Sequence, residues 1–109
     1  MVEKIRWLYQ EINRIAVEYM CLGRTNNLYE IKKIIPQIQD FISWFLNENI
    51  FGIENTLYED LRRNLVEILQ DMCIAMQNED RVLMHDAVNY GLVLYLEMFL
   101  PDEERENSE

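Results

Sequence analysis

Large apolar residues recur at intervals of three and four along almost the whole chain, and that rhythm limits what it can become. Between Val2 and Leu22 they are Ile5, Leu8, Ile12, Ile15, Ala16 and Tyr19, with Lys4, Glu11, Arg14 and Glu18 opposite. A backbone with 3.6 residues per turn gathers such positions into one stripe, which must be buried against another element. A second seam follows in Leu28, Ile31, Ile35, Ile38, Ile42 and Phe45, and a third in Tyr58, Leu61, Leu65, Ile68, Met72 and Met76. A fourth apolar stretch lies between Asp80 and Pro101. No run alternates apolar and polar residues as a half-buried strand would. The pattern predicts an all-α fold.

The punctuation agrees with the rhythm. Gly23 can take the left-handed conformation that ends a helix, and the polar turn "RTNN" precedes the second segment. Pro36 falls inside the second seam and lacks a backbone donor. It either kinks one long helix or opens a new one, and the unbroken register favours the kink. After "NENIFGIEN", Thr56 and Glu59 match a capping box. Asp80 suits the N-cap of the last helix, and Pro101 ends it. Short connections make neighbours antiparallel. The expectation is an up-down antiparallel four-helix bundle with a kink at Pro36 in the second helix. A less regular all-α packing bent at Pro36 is the alternative. Residues 1–101 form a single domain, and 102–109 an acidic disordered tail.

With 109 residues, half of them apolar, the chain can bury one core without disulfides or metal. Cys21 and Cys73 are far apart, in no ligand-like spacing and among apolar neighbours, which points to two buried, reduced thiols. No secretory signal is evident, and the longest apolar run, interrupted by Glu97, is about half the ~20 residues of a membrane span. A cytoplasmic protein is expected. The net charge of −10 is concentrated after residue 33. An acidic field of that size repels phosphate backbones and disfavours nucleic-acid binding.

Chemistry finds little support. A di-iron bundle needs Glu-x-x-His pairs on two helices, but the single histidine, His85, has Val82 three residues before it. No cysteine has a neighbour that would activate it, and the three isolated glycines form no phosphate loop. Paired carboxylates lie at helix starts and in the tail, where capping and solvation explain them. An enzyme is not expected, and neither a cofactor nor a metal is assigned.

The last helix raises a different question. Arg81, His85, Asp86 and Asn89 form a polar stripe over its first half, opposite a broad core face of Leu83, Met84, Ala87, Gly91, Leu94, Tyr95 and Met98. In its second half Val93 and Leu96 occupy the stripe that was polar. They either pack under a connection or, with Leu92 and Phe99, form an apolar contact surface. Trp7, Tyr9, Trp44 and Phe51 are further large residues expected partly outside the core.

"IIPQIQDFISWF" and "AMQNEDRVLMHDAVNYGLVLYLEMF" resemble a small all-α family of Firmicutes proteins, found alone or as a tail module of motility-associated glycosyltransferases. Those carry a "QI…GI.W" helix followed by "L..GD.VLLADLLEYEL". Asp80, Val82, Leu83, Asp86 and Tyr90 stand where that pattern has its Asp, Val, Leu, Asp and Tyr. His85 replaces a small residue and Gly91 an acidic one. The resemblance covers about two thirds of the chain, on what read as core-type positions. It implies a helical fold in a bacterial, cytoplasmic setting, and it supplies no catalytic residue, since the family carries no known activity.

The expected function is therefore non-enzymatic protein–protein interaction, foremost self-association as a dimer through Leu92, Val93, Leu96 and Phe99. Lys4, Arg6 and Arg14 would meet the acidic 59–71 face of a neighbouring copy. The alternatives are a small-ligand or metal-binding protein using His85, Asp86 and Asn89, and an acidic mimic of nucleic acid.

Overall fold

In a computed structural model of the chain, residues 1–23 and 26–105 are described, and all regular structure among them is helical. Helix α1, Val2–Val17, continues into a π turn at Glu18–Leu22. Helices α2 (Asn27–Lys33), α3 (Ile35–Asn47) and α4 (Asn55–Asn78) follow. The last rod joins α5 (Arg81–Ala87), a second π turn at Val88–Leu92, and α6 (Val93–Glu97).

The helix ends have local causes. Gly23 closes the first π turn at φ +62°, its amide donating to the Glu18 carbonyl at 3.0 Å, five residues back. Arg24 and Thr25, half of the expected polar turn, lie outside the described residues. Asn26 caps α2 by accepting from the Leu28 amide.

The kink expected at Pro36 is instead a break two residues earlier. Ile34 leaves helical geometry (φ −106°, ψ 10°), and Pro36 occupies the first turn of α3, where a missing donor costs nothing. The seam nevertheless runs through the break. Leu28, Ile31, Ile38, Ile42 and Phe45 are buried, and Ile35 packs against them.

The Thr56–Glu59 capping box does not form. Helix α4 begins one residue before Thr56, and the Glu54 carboxylate caps it by accepting from the Leu57 amide at 3.0 Å. That bond, with a second from the Thr56 amide, holds the Glu54 carboxyl below its ordinary range. Glu59 pairs with Arg62 instead. Asp80 does cap α5, accepting from the Leu83 amide.

Helix α1 packs against α2, α3 and α6, while α4 packs against α3, α5 and the second π turn. Gly91 permits the last of these approaches. A Cβ there would stand 3.0 Å from both Cγ1 and Cδ1 of Ile68. Buried tyrosines tie the elements through their hydroxyls. Tyr9 donates to Glu97, Tyr58 to the Phe45 carbonyl, and Tyr95 to the Leu61 carbonyl while accepting from Asn64. Burial raises the Tyr58 and Tyr95 phenols above their ordinary range. Trp44, Phe51 and Phe99, all partly buried, meet edge to face at 4.9–5.3 Å between ring centres. Trp7 is exposed as expected, whereas Tyr9 is fully buried.

The frayed tail is corrected at its start. Asp102–Glu104 forms a 3-10 turn, and both Glu104 carboxylate oxygens accept from the Arg6 guanidinium of α1. Residues 106–109 lie outside the described residues.

Candidate functional site

The expected contact surface is core. Leu92, Val93 and Leu96 are at most 1% exposed, and Phe99 packs among the aromatic rings. The side taken for core is buried only in part: Met84, Ala87 and Tyr95 are buried, but Leu94 is 57% exposed and Met98 is also open. The buried face of the last rod is thus turned toward His85 from its reading in the sequence. His85 is the reason. Its stripe looked polar and hence solvated, but the imidazole is buried between Tyr19, at 5.2 Å between ring centres, and Tyr90, edge-on at 5.9 Å. Once His85 faces inward, Val88, Leu92, Val93 and Leu96 continue its face without a break.

Asn89 satisfies the buried ring. Its Nδ2 lies 3.1 Å from His85 Nδ1 and 3.2 Å from the His85 carbonyl. A carbonyl only accepts, so the atom facing it must be the amide nitrogen. Nδ1 then stands where it accepts as well, which leaves Nε2 as the ring's donor. Asp86 and Arg81 are exposed, so the four polar residues do not converge. Among the described residues no three His, Cys, Asp or Glu side chains come close enough to hold a metal ion.

The bases assigned to a neighbouring copy are mostly committed within the chain. Arg6 binds Glu104, and Arg14 bridges Glu11, Glu18 and Glu30. These carboxylates raise the guanidinium pKa of both, through the hydrogen bonds first. The thiols are also corrected, since Cys21 and Cys73 are both exposed.

The structure exposes a groove that the sequence reading missed. It runs between the C-terminal half of the first rod and the last rod, and holds about 490 Å³. Val17, Met20, Cys21, Tyr90 and Leu94 give it an apolar wall, with Asn13, His85, Asn89 and Glu97 as its polar groups. Val17, Met20, Tyr90 and Leu94 are each more than half exposed. Both π turns border it, and such turns rotate the following side chains off the regular helical stripe. Leu94 escaped the sequence reading because it lies opposite His85, whose side was taken for the wet one. Of the residues that carried the family resemblance, Val82, Asp86 and Tyr90 are exposed rather than core.

A second groove of about 410 Å³ lies between the start of α1 and α3, around Trp7, Leu8 and Phe41. It is flanked by Glu3, Lys4 and Asp40 and carries mixed charge. No helix among the described residues is long and apolar enough to cross a membrane. Compared with family models, curated proteins and solved structures, the chain shows no match.

Proposed function

We propose that the protein is a non-enzymatic binding module whose groove between the first and last rods receives an amphipathic helix of a partner protein. Its scaffold is read as an up-down four-helix arrangement, with α2 and α3 together serving as the second member. The observation that carries the reading is the set Val17, Met20, Tyr90 and Leu94, four large apolar side chains exposed along one groove. Contiguous exposed apolar surface of this kind suits the apolar anchors of a docked helix better than it suits water. Charge selects the partner. Among the described residues no Lys or Arg lines the groove, Glu97 does, and the chain carries −10 overall. A basic amphipathic helix complements that field, whereas a second copy repeats it.

The test uses a fluorescent synthetic 18-residue Leu/Lys amphipathic helix and measures anisotropy at physiological salt. Leu94→Glu should weaken binding about tenfold or more, as loss of an anchor does. Ile74→Glu, on α4 outside the groove, changes the net charge equally and should leave binding within about twofold. Equal effects from the two variants would mean that charge alone attracts the peptide and would sink the groove reading. A dimer seen by light scattering and abolished by Leu94→Glu would keep the groove and replace the basic partner with a second copy.

A further inference from the structure

A much smaller cavity lies beneath the groove and surrounds a buried acceptor that no protein group satisfies. Asn27, the first residue of α2, is 2% exposed. Its Nδ2 donates to the Arg81 carbonyl at 2.9 Å, which ties the start of α2 to the start of α5. Because that carbonyl can only accept, the amide orientation is fixed, and Oδ1 is a true acceptor facing away. No donor among the described residues reaches Oδ1. Buried acceptors in folded proteins are satisfied by protein or by ordered water, so this atom calls for a partner.

The space beside it holds about 10 Å³ and is walled by Ile12, Ile15, Tyr19, Asn27, His85 and Asn89, among others. That is roughly the room of one water-sized sphere, too little for anything larger. Tyr19, Asn27, His85 and Asn89, four of the ten lining residues, carry polar groups, enough to offer the two to four partners that a buried water of this kind needs. A dry cavity would be lined by apolar atoms alone, and this one is not. We infer that the cavity is a binding site for a single structural water, which donates to Asn27 Oδ1 and bonds to the polar side chains across from it. The water extends the Arg81–Asn27 contact toward the His85–Asn89 pair, so one polar chain joins α2, α5 and the second π turn inside an apolar core. Ala16, His85 and Asn89 also border the groove, so they stand between the cavity and the solvent-filled space above it.

The unmodified protein decides the matter. A crystal structure at atomic detail should show a density peak about 2.7–3.2 Å from Asn27 Oδ1, the range of a hydrogen bond. In solution, the Asn27 side-chain amide should show a cross-relaxation peak to water of the sign given by a long-lived site. An empty cavity, or Asn27 Oδ1 bonded to a protein donor, would overturn the inference. Asn27→Leu removes the acceptor, and in a folded variant the water peak seen from the His85 and Asn89 side chains should vanish. Its persistence there would equally show that the water does not belong to Asn27. Should the variant not fold, the unmodified protein still gives the answer by itself.

Discussion

Helix α4 and the last rod lie side by side, yet their sequences translate into structure by different rules. In α4 the period is constant over 24 residues, and Tyr58, Leu65, Ile68 and Met72 are buried where regular spacing puts them. In the last rod a π turn shifts the phase at Val88–Leu92, and a histidine sits on the buried face. The difference teaches that a helical stripe is read safely only while the turn stays regular and its polar residues stay wet. Gly91 links the two regions, because a Cβ there would crowd the Ile68 side chain of α4.

The sharpest way to break this comparison is to place a charge at two neighbouring positions of the last rod. Leu96→Glu buries an unpaired carboxylate and should cost about 3–5 kcal/mol or abolish folding. Leu94→Glu, two residues earlier on the exposed side, should stay within about 0.5 kcal/mol. Chemical denaturation followed by circular dichroism checks both, and a reversed order would restore the orientation that the sequence suggested.

A smaller effect tests the junction. Gly91→Ala should lose about 1–3 kcal/mol through overpacking against Ile68, despite the better helix propensity of alanine. In an Ile68→Ala background the same change should turn neutral or stabilising. Additive effects across that cycle would show that Gly91 and Ile68 do not meet.

The smallest effect is at the start of α4. The Glu54 carboxyl is lowered in the folded state, so its contribution is present above the unfolded carboxylate range and is lost as pH falls through the folded value. Amide exchange at Leu57 and Tyr58 should therefore quicken on acidification below about pH 4, near the reference carboxylate pKa. Glu54→Gln should remove that pH dependence, and an unchanged profile in the variant would assign it to another group.

The helical class, the outer bounds of the first rod, and the caps at Gly23 and Asp80 were legible because each rests on neighbours within one turn. Pro36 was ambiguous for a physical reason: a proline fits a kink and a first turn equally well, and only Ile34 decides. Glu54 was overlooked as a cap because Thr56 and Glu59 offered a more familiar motif one turn later. The groove could not be read at all. It depends on two π turns, on His85 turning inward against Tyr19, and on the contact of rods some seventy residues apart in sequence, none of which leaves a periodic trace.

The Arg6–Glu104 pair has a further use. It clasps the second turn of α1 to the last described turn of the chain, and so closes a loop of 98 positions at a single point. Because the cost of closing a loop grows only slowly with its length, so long a loop is held at little more cost than a short one.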